Sequence, residues 1–157
     1  MRFNICFVLA LVISEASIQG QTPAPNMTRC EVTQPNGQGT FTEQPSPVVH
    51  GSGALSVILD WPEGTVVFKP GGPGFVLNDG ALSMKFPWSR GVKGQLTIDG
   101  RRLDLPAPPL RAEIPNGYGD IEFQSTAIIF PTPGCWEVTG HVGEARLTFV
   151  TRVVKIS

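Results

Sequence analysis

The chain has 157 residues, room for one domain of ordinary size. Hydrophobic residues make up 41%, which excludes a disordered chain, and a net charge of −1 excludes a global attraction to nucleic acid or to an anionic membrane. Charged residues are only 16%, and 18 Gly and 15 Pro interrupt short apolar runs, so an all-β domain rich in turns is expected.

Arg2 gives a minimal positive start, and Ile5 to Ile13 form an apolar run. That run fits the core of a signal peptide and falls far short of the roughly 20 residues that span a bilayer. Residues 1–20 are therefore predicted to be a signal peptide, cleaved after Ala16 or after Gly20. The polar stretch beginning at Gln21 favours the second position. Residues 21–28 read as a flexible Pro-rich start containing the glycosylation sequon Asn26-Met27-Thr28, and residues 29–157 as a single β-sandwich domain. The expected product is secreted or periplasmic, with no integral membrane segment once the signal is removed. Cys6 leaves with the signal, so Cys30 and Cys135 remain as an even pair in an oxidising compartment and are predicted to form a disulfide.

In chain order, Arg29 to Thr33 is a candidate first strand, Pro35-Asn36-Gly37 a turn, and Gln38 to Pro47 an irregular surface segment. Gly53–Leu59 alternates in hydrophobicity, and Pro62-Glu63-Gly64 leads into Thr65–Lys69, which together read as a hairpin. Pro70 to Gly74 is a break. Phe75 to Leu77 precedes the turn Asn78-Asp79-Gly80, and Leu82–Phe86 puts Leu82, Met84 and Phe86 on one face. The sequence Phe86-Pro87-Trp88-Ser89-Arg90 reads as a loop. Gln95 to Ile98 is a strand, and Asp99-Gly100 predicts a tight hairpin turn returning through Arg101–Leu105. Pro106-Ala107-Pro108-Pro109 must be an edge or crossover segment, since proline cannot donate to a central ladder. Pro115 to Gly119 is a loop, and Ile121–Phe130 a long strand.

The chain ends in a predicted hairpin. Within Cys135–Val142, strand alternation places Trp136, Val138 and Val142 inward and Glu137, Thr139 and His141 outward. Cys135 then points away from the core, unless a bulge near Gly134 turns it inward. The last strand is apolar on both faces, with Leu147, Phe149 and Val153 on one and Val150, Val154 and Ile156 on the other. It is either covered on both sides for part of its length or presents a stripe to a partner. About eight or nine short strands and no helix make a sandwich or barrel.

The ending Pro133-Gly134-Cys135-Trp136-Glu137-Val138, followed by Leu147-Thr148-Phe149-Val150, resembles that of bacterial immunoglobulin-like domains. The longer pattern from Trp88-Ser89-Arg90-Gly91 through Leu96 to Leu103 and on to the end is similar to small secreted proteins of environmental bacteria. The resemblance implies an exported immunoglobulin-like β-sandwich and brings no assigned activity. An immunoglobulin domain places its tryptophan between the two cysteines, on the third strand. Trp136 follows the second cysteine here, so that core arrangement does not carry over.

No catalytic signature stands out. His50 and His141 are the only histidines, and further metal ligands are lacking, so neither a metal nor a cofactor is expected. His50-Gly51-Ser52-Gly53 is not the Gly-x-Ser-x-Gly elbow of a hydrolase, and Lys69 to Gly74 lacks the Lys-Ser/Thr ending and helix of a phosphate loop. Glu113, Asp120 and Glu122 are surface acids unless folding brings two of them together. Between Lys85 and Arg111, six cations face only Asp99 and Asp104. This run is a solvated face or a docking patch, with Arg90, Arg101 and Arg102 suited to carboxylate or phosphate. Trp61, Trp88 and Tyr118 are the candidate aromatics, Trp88 above all for stacking on a sugar ring, the alternative for the tryptophans being core or corner packing. The expected function is a non-catalytic interaction or structural domain meeting an envelope protein or a glycan through Trp88, Arg90, Arg101, Arg102 or Tyr118. The alternatives are a carbohydrate-binding module and a small secreted hydrolase.

Overall fold

The computed structural model describes residues 29–40 and 46–157. The signal peptide, the Pro-rich start, the sequon and part of the irregular segment before Pro47 lie outside the described residues. Ten strands follow in order: β1 (Val49–Gly51), β2 (Leu55–Ile58), β3 (Thr65–Phe68), β4 (Phe75–Val76), β5 (Leu82–Arg90), β6 (Thr97–Arg102), β7 (Arg111–Glu113), β8 (Phe123–Phe130), β9 (Gly134–Val142) and β10 (Ala145–Lys155). They form two sheets. One has the order β1-β2-β5-β8-β7, with β4 added to β5, and the other has the order β3-β10-β9-β6. The fold is an all-β sandwich, and the one helical piece among the described residues is a 3-10 turn at Pro62–Gly64.

The two sheets enclose one apolar core. On β5 the even positions Leu82, Met84, Phe86 and Trp88 face inward. From the other sheet come Trp136, Val138, Val142, Phe149 and Val153, all inward as the alternation predicts. Phe86 stacks on Phe149 with centroids 5.7 Å apart, and Phe130 tilts against Trp136 at the same separation.

Several segments take a different path from the one expected. The stretch from Gly53 to Lys69 is not a hairpin. β2 stays in the first sheet, the 3-10 turn carries the chain across the sandwich edge, and β3 pairs in parallel with β10. Glu63 takes a left-handed φ of 51° to make this crossing. Asp99-Gly100 is not a turn either. β6 runs straight through it, with Gly100 opposite Val138. Glycine is required there because a Cβ would meet Glu137 O at 2.3 Å and Leu110 Cδ2 at 2.5 Å. The Pro106–Pro109 segment does cross over, from β6 in one sheet to β7 in the other.

Cys30 and Cys135 are bonded, with Cα atoms 5.5 Å apart. Cys135 is buried but belongs to the outward set of β9, and it stays out of the central core. The disulfide therefore fastens the amino-terminal segment to the outside of the second sheet. That segment is extended without being a strand, and Thr33 exchanges two hydrogen bonds with Val150, N–H to O at 2.9 Å and N–H to Oγ1 at 2.8 Å. Val150 and Val154 on the outer face of β10 are half-buried.

Candidate binding site

The inward faces of the first sheet change character toward one end. On β8 the inward series runs Phe130, Ile128, Thr126 and Gln124, from apolar to polar. On β5 it runs Leu82, Met84, Phe86, Trp88 and then Arg90. Trp88 lies opposite Gln124 in the ladder, and Arg90 N–H donates to Glu122 O at 3.0 Å. Arg90 and Gln124 are each only 5% exposed, and they close the core beneath the loops at that end.

Two loops stand over this floor, one from Gly91 to Leu96 and one from Ile114 to Glu122. Arg90 holds both, donating to Gly94 O at 2.7 Å and to Gly119 O. Gln124 Nε2 donates to Pro115 O at 3.1 Å, and the Gly119 N–H donates to the Glu122 carboxylate. Between the loops lies a polar cleft of about 360 Å³, lined among others by Arg90, Asn116, Tyr118, Asp120 and Gln124. Among the described residues, Arg90 and Asp120 are the charged ones that line it. Among the described residues Arg90 Nε and Gln124 Oε1 find no hydrogen-bond partner, nor does Trp88 Nε1, and all three atoms are buried. Leaving a buried donor or acceptor unpaired costs about 1–3 kcal/mol, so such groups call for an explanation. At the rim the Tyr118 ring stands 6.4 Å from that of Phe123, tilted by 59°, and Phe123 is 47% exposed.

The sequence candidates scatter. Trp88 is a correction: it is fully buried on β5 against Phe149 and offers no face to a sugar. The strand continues through Pro87 because β2 pairs only with Trp88–Arg90 and β4 only with Leu82–Ser83. Between them one side of β5 has no partner, and a residue without an N–H is tolerated there. The basic run is no continuous patch. Arg101 bonds Glu137 at 2.9 Å from an exposed position, Arg111 bonds Asp79 at 3.1 Å, and Arg102 bonds Asp104 at 2.6 Å and Thr132 at 3.1 Å. Arg102 lies across Gly134, beside the disulfide and away from the cleft. Only Arg90 and Tyr118 of the five candidates come together. Gln124 was missed, although the alternation Gln124-Thr126-Ile128-Phe130 marks it as an inward position.

Elsewhere, His50 belongs to β1 in the first sheet, while His141 in the second bonds Asp99 at 3.0 Å. No group of three His, Cys, Asp or Glu that could hold a metal occurs among the described residues. Ser52 is spent on the turn between β1 and β2, where its Oγ accepts from Ala54 N–H at 3.2 Å. At the opposite end of the sandwich Phe75, Val76 and Ile156 are exposed. Among the described residues no helix is long and apolar enough to cross a membrane. No family model matches the chain, and neither a curated protein nor a solved structure matches it.

Proposed function

We propose that this chain is a non-catalytic exported binding domain that meets its target with the loop end of the sandwich. The observation that carries this reading is the polar cleft, whose floor is made by the last inward residues of two paired strands. Arg90 and Gln124 are fixed by their strands and hold the loops above them, so the cleft is preorganised, which lowers the entropic cost of binding. No Ser, Cys or His lines it. Its side chains suit hydrogen bonding, and its two nucleophile-type groups, Tyr118 and Asp120, have no His or Lys beside them in the lining to act as an activating base. Asp120 is the one carboxylate among the described residues that line the cleft, whereas glycoside hydrolysis uses two. Disulfides persist in oxidising compartments, and the Cys30–Cys135 bond supports export.

The test is retention of extracellular and envelope material on the immobilised full chain with its disulfide intact. Wild type is expected to retain a component that Tyr118→Ala loses and Arg101→Glu keeps. Equal retention by wild type and Tyr118→Ala, or none by wild type, overturns the reading.

A further inference from the structure

β5 runs from the cleft at Arg90 to the other end of the sandwich at Leu82, nine residues that span about 27 Å. At that far end two backbone devices present apolar side chains to solvent. β4 pairs with Leu82 and Ser83, and Leu77 N–H donates to Ala81 O at 2.8 Å to close its turn. Past the end of β10, Ile156 N–H donates to Phe68 O at 2.7 Å. Phe75, Val76 and Ile156 are therefore held in place, yet they are 64%, 49% and 52% exposed. They come from different sheets and line one groove of about 320 Å³ together with the buried Phe68. Single exposed apolar residues are ordinary on a protein surface, but a fixed cluster of them marks a contact.

Two features say what the contact is with. Adjacent strand residues point to opposite faces, so Phe75 and Val76 project on either side of β4, and both are exposed. A protein laid on one face would cover one of them, whereas hydrocarbon closing around the tip covers both. The charges complete the pattern. Among the described residues the charged side chains lining the groove are Lys69 and Lys155, both exposed and outside the ion pairs. Two acids toward the same end are engaged. Asp79 in the β4–β5 turn bonds Arg111, and Asp104, in the hollow that Arg29 and Arg152 line beside the disulfide, bonds Arg102. A lysine stem packs along apolar surface and carries its ammonium to a phosphate headgroup.

We propose that this end docks on a lipid surface bearing anionic headgroups, with Phe75, Val76 and Ile156 entering the acyl boundary and Lys69 and Lys155 meeting phosphate. The docking is peripheral and needs no spanning segment. It leaves the loop-end cleft directed away from the lipid. The net charge of −1 describes the whole chain, whereas attraction to a charged surface is decided by the cations within a Debye length of it.

The experiment adds bicelles with spin-labelled acyl chains to the isotope-labelled, disulfide-bonded full chain. One set is phosphatidylcholine alone, and the other is an equal mixture of phosphatidylcholine and phosphatidylglycerol. The readout is line broadening of the Val76, Leu77 and Ile156 amides, with the Tyr118 amide reporting on the cleft end. The mixed bicelles are expected to broaden the first three and to spare Tyr118. Phe75→Ser, and Lys69→Gln combined with Lys155→Gln, should each raise the lipid concentration needed by about tenfold, while Arg101→Glu leaves it unchanged. The inference is overturned if neither lipid broadens these amides, if phosphatidylcholine alone does so equally, or if either variant matches wild type. It also falls if the same amides broaden with protein concentration before lipid is added, which identifies a second copy as the occupant. None of these outcomes touches the cleft reading, which is tested through Tyr118.

Discussion

Gly140 faces inward from the middle of β9, where alternation would place an apolar side chain. A Cβ there would lie 2.6 Å from the Trp88 ring, so the glycine makes room for the indole between the sheets. Gly140→Ala is expected to destabilise the fold by about 1–3 kcal/mol, the usual cost of overpacking, read as a lower urea midpoint. A second residue-level effect concerns pH. Burial holds the His50 imidazole below its ordinary range, partly offset by a hydrogen bond with the Thr148 backbone. The unfolded chain then binds a proton that the folded chain resists in the window between the depressed value and about 6.5. Stability contributed by this residue is full above that window and falls as pH drops through it. Urea midpoints should decline from about pH 7.5 to pH 5.5, and His50→Gln should flatten that decline. Asp104 acts further down the scale. Its hydrogen bond from Arg102 holds its carboxyl below the usual range, so its contribution is present above about pH 4 and is lost as pH falls through the depressed value.

Among the elements, the amino-terminal segment depends most on a single bond. It carries no strand, and the disulfide fixes it outside the core beside its two hydrogen bonds to Val150. The bond spans 105 residues, and closing a loop of that size stabilises by roughly 4–5 kcal/mol in the chain-entropy model. A variant with both Cys30→Ser and Cys135→Ser should lose about that much in urea unfolding. Because neither sulfur fills the central core, its near-ultraviolet tryptophan signal in water should survive. A repacked core would abolish that signal. The same bond shows what was legible in the sequence and why. Cysteine arithmetic finds a partner without knowing any contact, and strand alternation correctly turned Cys135 away from Trp136. The misread elements share one cause. Pro87 and Asp99-Gly100 look like punctuation locally, but their meaning is set by neighbours distant in sequence. Pro87 meets a gap between β2 and β4, and Gly100 yields to Leu110. Neither neighbour is visible before the sheets are assembled.

At the scale of the molecule, the sandwich separates a structural middle from a polar end, and the dividing line runs between Trp88 and Arg90 on one strand. In the sequence the two sit beside Pro87 and look like loop residues. Arg90 and Tyr118 stand out in the sequence as a cation and an aromatic, whereas Gln124 is a polar residue at an inward position of β8, and its residue type does not mark it as buried. Below the line every inward side chain of β5 packs in the core, and above it Arg90 and Gln124 bond to loop carbonyls. This division predicts that the two ends respond differently to truncation. Trp88→Ala removes a fully buried ring in contact with Phe149 and should cost about 3–5 kcal/mol, as for other large aromatic-to-alanine changes in cores. Tyr118→Ala removes a ring at the cleft rim and should stay within about 0.5 kcal/mol of wild type. Paired thermal melts and binding titrations of the two variants test this directly. Trp88→Ala should lose stability first and binding only as a consequence of unfolding, whereas Tyr118→Ala should lose binding with its melt unchanged. If Tyr118→Ala instead melted as early as Trp88→Ala, the loops would be part of the cooperative core, and the cleft would be a structural joint rather than a recognition surface carried on a finished scaffold.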